Sequence, residues 1–287
     1  MPDPAFGERL AAAFATHGHL CLGIDPHAYL LAEWGLADDA AGLREFGLRV
    51  VEAAHGRIGI VKPQVAFFER HGAAGYAALE EVLAAARGAG LVTIADAKRG
   101  DIGSTLEAYC AAWLSPGSPL EADAMTVNAY QGVASLAKPI DLARGAGKGL
   151  LVLAATSNPE SVEPQTAVRA QGALAGRTVA AGIVDEVIEL NAMQGAGLGS
   201  FGVVLGATVE ADRYGISLAA LAGPPATPVL APGFGFQGAA FSELRDRYRE
   251  ASPSVIASTS RDILSAGPEG IDSALTRAAE ELAGCLA

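Results

Sequence analysis

The stretch from Asp96 to Thr105, Asp96-Ala97-Lys98-Arg99-Gly100-Asp101-Ile102-Gly103-Ser104-Thr105, places charges of alternating sign at the end of an apolar run, 91–95. Side chains of a strand alternate faces, so Asp96 and Lys98 point the same way, a few ångströms apart. Asp101 and Thr105 fall on the following turn and first helical turn, with Gly100 and Gly103 loosening the backbone between them. Charge this dense beside a buried strand costs several kcal/mol per ion unless it is paired. A structural Asp96–Lys98 ion pair, or a helix cap by Asp101, is the plainer explanation. The second carboxylate favours a functional reading over a purely structural one, with chemistry based on fixed charge.

Other segments share the design of an apolar run closed by a polar residue. By position, Asp25, Lys62, Asn128, Ser157 and Arg261 end such runs alongside Asp96 and Lys98. A single strand-end polar residue is more often a turn former; recurrence along the chain is what points to a common mouth. Only Lys62, Lys98, Lys138 and Lys148 are lysine, the other 16 of the 20 basic side chains being arginine. Two strands ending in lysine therefore suggest a need for a compact, protonatable cation. Pro232-Gly233-Phe234-Gly235-Phe236-Gln237-Gly238 follows the seventh run, and its glycines allow backbone N–H groups to approach an anion. Arg261, after the eighth, can complete a phosphate clamp. Gly233, Gly235 and Gly238 also spell the dinucleotide pattern GxGxxG, which occurs again at Gly197, Gly199 and Gly202 before a strand, so the match is weak. A monophosphate grip, an ordinary loop and a dinucleotide site all remain open from these residues alone.

The elements that must hold these groups alternate regularly. Strands are expected at 20–26, 58–63, 91–95, 124–127, 149–156, 201–205, 228–231 and 254–258. Helices are expected near 42–54, 72–88, 132–144, 176–194, 207–222, 239–250 and 268–285. The runs are apolar throughout, as in parallel strands buried on both faces. Eight such units predict an α/β protein with a (β/α)8 TIM barrel as one domain over 1–287, its chemistry at the carboxyl ends of the strands. The polar segment 157–175 is expected to be an irregular loop beside the site. With 287 residues and 51% hydrophobic content the chain can bury a core of that size.

The net charge of −12 and a pI near 4.8 argue against nucleic acid or an anionic membrane as partner, while a few local cations still allow an anionic small substrate. Cys21, Cys110 and Cys285 are odd in number and lack CxxC spacing, the pattern of reduced core thiols in a cytoplasmic protein. No export signal or membrane span is expected. The five histidines lie in the first quarter without metal-ligand spacing, and His17 and His19 are expected to be solvated. No metal and no cofactor are expected.

Together these residues resemble the orotidine 5'-phosphate decarboxylases, specifically their longer bacterial subgroup. Asp96 to Thr105 is similar to the family's D-x-K-x-x-D-I-x-x-T segment without a gap. Gly23-Ile24-Asp25-Pro26, Lys62-Pro63-Gln64, Thr156-Ser157-Asn158-Pro159, Pro232-Gly233 with Gln237-Gly238, and Ser258-Thr259-Ser260-Arg261 match in the same order. Phe234 and Phe236 are bulkier than the resemblance leads us to expect. It implies metal-free decarboxylation of orotidine 5'-phosphate to UMP, with Lys62, Asp96, Lys98 and Asp101 as a charged tetrad. Lys98 would protonate C6, and Asp96 would lie beside the substrate carboxylate. Asp25 and Lys62 would hold the ribose hydroxyls, Ser157 the pyrimidine edge, and Gln237 with Arg261 the phosphate. Asp101 and Thr105 would reach into the neighbouring subunit's site of a homodimer. The physics agrees, because losing carbon dioxide from an sp2 carbon leaves a localised carbanion with no electron sink, and a positioned cation must stabilise it. Two alternatives stay in view: a metal-dependent sugar-phosphate decarboxylase or lyase of the same superfamily, against which Lys62 argues because the resemblance implies a magnesium-ligating carboxylate at that position in those relatives, and a non-catalytic phosphate-ligand sensor.

Overall fold

The structure, a computed structural model, describes residues 4–193, 195, 197–236 and 238–286. Eight parallel strands close a barrel in sequence order: β1 (Leu20–Ile24), β2 (Ile60–Pro63), β3 (Val92–Arg99), β4 (Ala124–Val127), β5 (Gly149–Ala155), β6 (Phe201–Leu205), β7 (Val229–Pro232) and β8 (Val255–Thr259), the last pairing with the first. This is the expected TIM barrel, and alternation along each strand divides its hydrophobic core in two.

Outward residues such as Leu22, Val61, Val203 and Ala257 pack under the surrounding helices, among them Ala40–Ala54, Gly72–Gly88, Val179–Ala192 and Gly267–Leu286. Inward residues Cys21, Ile60, Ile94, Ala124, Leu151, Val204, Leu230 and Ile256 fill the barrel itself. With a side-chain period of two, the next inward layer toward the carboxyl ends falls on Lys62, Asp96, Thr126, Leu153 and Ser258, and all five line the cavity at the mouth. The floor of the barrel thus fixes which residues face the chemistry.

The amino-terminal end is plugged by a helix, Phe6–His17, that the sequence reading did not anticipate. Phe6, Leu10 and Ala13 join the inner core, and Gly149 leaves room for the Phe6 ring, which a Cβ there would approach to 2.4 Å. Arg9 pairs with Asp123 at 3.0 Å, and Lys148 with Glu121 at 2.7 Å, around that closure. His19 stacks on Phe14 with ring centroids 3.9 Å apart, and its Nδ1 lies 2.9 Å from the Val255 carbonyl oxygen, so it is half-buried rather than solvated. His17 is also partly covered.

Helix expectations fail most clearly after β6 and β7. Instead of a helix over 207–222 there are a 3-10 turn, Ala211–Tyr214, and a single helical turn, Leu218–Leu221, separated by Gly215 in the left-handed conformation. Region 239–250 likewise divides into Phe241–Glu243, Leu244–Tyr248 and the start of Arg249–Ser254. Segment 157–175 is more ordered than expected, with a 3-10 turn at Pro159–Ser161, a short helix at Val162–Thr166 and an antiparallel bridge from Val168 to Thr178. Cys21 and Cys110 are buried free thiols, whereas Cys285 is only half-buried. Among the described residues, no helix is long and apolar enough to cross a membrane.

Candidate active site

Strand β3 carries the centre of the site. Asp96 is buried, and both carboxylate oxygens are fully engaged. Oδ2 accepts hydrogen bonds from Lys62 Nζ at 3.0 Å and Gln64 Nε2 at 2.8 Å. Oδ1 accepts one from Thr126 Oγ1 at 2.9 Å and pairs with Lys98 Nζ at 2.6 Å. Lys62 comes from β2, Thr126 from β4, and Gln64 from the residue just after β2, so neighbouring strands converge on one anion.

Lys98 reaches this position through an irregularity. Ala95 pairs with Met125 and Arg99 with Val127, so four steps along β3 face two along β4. Such a bulge re-aims side chains beside a site. Within it Lys98 has φ +47°, a left-handed conformation that costs a non-glycine residue about 1–3 kcal/mol and persists only where the surroundings hold it. Its N–H donates to Thr126 Oγ1 at 2.9 Å. The Lys98 side chain remains 46% exposed and faces the cavity, while Lys62 below it is buried.

The electrostatics follow from burial and pairing. Burial by itself would raise the pKa of Asp96, but the charges of Lys62 and Lys98 and their hydrogen bonds overturn that and hold the carboxyl well below its usual range. Burial would likewise push Lys62 toward its neutral form, and the charges of Asp96 and then Asp25 hold its pKa above the ordinary lysine value. The result is a cation–anion–cation array in which buried Lys62 and Asp96 underlie the exposed Lys98 ammonium, an arrangement that can stabilise negative charge in the cavity.

Around the array lies a cavity of about 450 Å³ that includes Asp25, Ser157 and Arg261 in its walls. Asp25 Oδ1 and Ser260 Oγ are buried there and have no hydrogen-bond partner among the described residues. Ser157 is exposed on a loop anchored by Gln165, which accepts from Thr156 N–H at 2.9 Å and donates to Thr156 Oγ1 at 3.0 Å. On the glycine loop the two phenylalanines part ways. Phe234 is buried against Phe241, whereas Phe236 is 63% exposed and stacks under Arg261, whose guanidinium carbon is 3.7 Å from the ring centroid. Gly235 N–H and Gly238 N–H are spent on Ala239 and Gly235 carbonyls, so neither serves as the free amide expected for an anion. No regular helix opens directly after these glycines, which removes the geometry of a dinucleotide site. Gln237 lies outside the described residues.

Asn128 departs from its expected place, whereas Asp101 and Thr105 lie on the connection and first helical turn after β3 as expected. Asn128 does not line the cavity: its Oδ1 accepts from Tyr130 N–H at 2.9 Å, a turn-forming role, and Thr126 takes the inward position one pleat earlier. Asp101 is half-exposed between β3 and the helix Gly103–Leu114, where it accepts from Ile102 N–H at 2.8 Å; the helix cap is Ile102. Within this chain Asp101 is outside the cavity lining, and Thr105 is exposed on the first helical turn. Thr126 and Gln64 were not singled out as site residues from sequence. The two-residue period counted from Ala124 and Ile60 indicates Thr126 and Lys62 together; Gln64 belongs to the matched segment Lys62-Pro63-Gln64, and its hydrogen bond to Asp96 gives it a place in the site.

An eight-stranded parallel barrel with two lysines paired to one buried aspartate at its carboxyl mouth is the architecture of a barrel enzyme whose site is built from paired charges. Similarity to known proteins specifies which. The family model described as orotidine 5'-phosphate decarboxylase / HUMPS matches residues 18–278, and the chain belongs to that family. An orotidine 5'-phosphate decarboxylase from Salinispora arenicola is 50% identical over 286 residues, covering 99% of this chain and 98% of the relative. A crystal structure from Streptomyces avermitilis, assigned as orotidine 5'-phosphate decarboxylase, superposes with a TM-score of 0.92 at 46% identity and covers 100% of this chain and 97% of that one. The Leishmania donovani OMP decarboxylase structure follows at a TM-score of 0.77 and 29% identity, with 98% of each chain covered.

Proposed function

We propose that the protein decarboxylates orotidine 5'-phosphate to UMP in pyrimidine biosynthesis, in the cytoplasm, with neither metal nor cofactor. The observation that carries this reading is the Lys98 ammonium, 2.6 Å from Asp96 Oδ1 and facing the cavity, while Lys62 occupies the other oxygen of the same carboxylate at 3.0 Å. The bond from C6 to the carboxylate breaks, its electron pair stays on C6 and carbon dioxide leaves. Lys98 stabilises the developing carbanion and gives C6 a proton from Nζ; its exposed side chain regains one from water. Asp96 sits beside the substrate carboxylate and orients Lys98.

The remaining roles follow the cavity. Asp25, with its unpartnered buried oxygen, and Lys62 bind the ribose hydroxyls, Ser157 the pyrimidine edge and Arg261 the phosphate; Gln237 is assigned to the phosphate with Arg261 on the resemblance of the sequence alone. Binding energy from the phosphate, remote from C6, is available to order the array around the reacting centre. Asp101 and Thr105 complete a neighbouring subunit's site across a two-fold interface. Support for that comes from large apolar side chains exposed beside them, Ile102 and Tyr109 on the same segment and Tyr130 after the adjacent strand β4.

The direct test is loss of orotidine 5'-phosphate absorbance with purified protein held in EDTA. Turnover that survives chelation is expected. Activity abolished by EDTA and restored by Mg²⁺ would favour a metal-dependent sugar-phosphate decarboxylase or lyase, and binding without turnover would favour a sensor.

A further inference from the structure

Resting on that reading of Lys98, we infer that Thr126 is a positioning residue for the proton donor, its hydroxyl tying the main chain of Lys98 to the carboxylate that holds the same lysine's ammonium. Thr126 is buried on β4 in the inward layer of the barrel mouth. Its Oγ1 accepts from Lys98 N–H at 2.9 Å and lies 2.9 Å from Asp96 Oδ1, and Lys98 Nζ returns to that oxygen at 2.6 Å. The directions are forced: the amide only donates and the ionised carboxylate only accepts, so the single hydroxyl proton points to Asp96. The contacts close a ring from the lysine's backbone through Thr126 and Asp96 to its ammonium.

That ring spans the bulge in β3, where Lys98 has φ +47°. A left-handed lysine relaxes unless its surroundings over-determine it, and relaxation here turns the Cα–Cβ direction and with it the ammonium. The Thr126 hydroxyl supplies the acceptor for the N–H of the displaced residue, and it is also one of the four donors on Asp96. Valine keeps the shape of threonine but deletes both bonds; serine keeps the hydroxyl.

The test compares Thr126→Val, Thr126→Ala and Thr126→Ser in the full chain by steady-state turnover of orotidine 5'-phosphate and by amide hydrogen exchange at Lys98. Val and Ala are expected to lower kcat by about 10- to 100-fold, the range for losing a hydrogen bond to a charged group, with KM within about threefold. Ser should restore most of kcat. Exchange at Lys98 should accelerate in Val and Ala but not in Ser. A kcat near wild type in Val and Ala, an equal loss in Ser, or unchanged exchange overturns the inference. If Val does not fold, the Ala–Ser pair still isolates the hydroxyl. If the wild-type protein leaves orotidine 5'-phosphate intact, the proposed function fails, and exchange alone decides whether the tie exists.

Discussion

Asp96→Asn keeps the size of the side chain and removes one charge, and its cost can be worked from the partners left behind. Lys62 is buried, and its hydrogen bond in the array is to Asp96, with Asp25 acting on it through charge alone. Neutralising Asp96 therefore strands a buried ammonium, a loss of about 3–5 kcal/mol. At about 2 °C per kcal/mol for a chain of this size, the melting temperature should fall by about 6–10 °C. Lys62→Met should cost less, about 1–2 kcal/mol, because Asp96 keeps Lys98, Gln64 and Thr126 as donors. The double variant should be more stable than the sum of the two losses implies, since it removes the stranded charge. Differential scanning calorimetry and urea unfolding of the four proteins at pH 7 provide the cycle. An Asp96→Asn protein that melts with the wild type, or a larger cost for Lys62→Met, would refute the argument that burial and pairing set the energy of this site.

The same pair gives the pH dependence. Asp96 titrates below its usual 3.8 in the folded state, so its contribution is present above that value and is lost as pH falls toward the lower folded pKa; the stability gap between wild type and Asp96→Asn should narrow at pH 3. Lys62 titrates above its usual 10.5, so its contribution holds below that value and disappears only as pH rises through the folded pKa. A gap unchanged between pH 7 and pH 3 in urea unfolding would contradict this. Among the thiols, burial pushes Cys21 and Cys110 each up to about 12, whereas Cys285 is half-buried on the last helix. Native protein at pH 8 should react with a disulfide reagent at Cys285 at least about 100-fold faster than at the other two, with all three reacting in urea; equal native rates would contradict the burial argument. Mixing inactive Lys98→Ala and Asp101→Ala proteins should restore activity through hybrid dimers, and no rescue after subunit exchange would reject a shared site.

Much of this was legible because parallel strands write their fold and mouth into the same short runs. The segments ending at Ile24 and Leu205 are apolar on both faces, the one ending at Pro63 is apolar until Lys62, and the polar residues at or beyond several strand ends turn up in one cavity. Local pattern was less informative where long-range geometry decides. Asn128 has the right parity, but its strand stops at Val127 and its side chain forms a turn. Thr126 looks like an ordinary strand residue until the bulge in β3 delivers the Lys98 amide to it. The Phe6–His17 plug was missed because its apolar face matters only against a barrel floor made by later strands. The short helices after β6 and β7 reflect breaks at Gly215 and in the Arg249–Ser254 turn, which interrupt helical spacing that looks continuous in composition.

The central claim is that the Lys98 ammonium, held by Asp96, stands in for the electron sink this decarboxylation lacks. Its most direct test is kcat of Lys98→Ala on orotidine 5'-phosphate, with circular dichroism and UMP binding measured on the same preparation. A folded, ligand-binding protein whose kcat has fallen by at least about four orders of magnitude, or about 5 kcal/mol of transition-state stabilisation, is the predicted result. Turnover within about tenfold of wild type from that folded variant would contradict it.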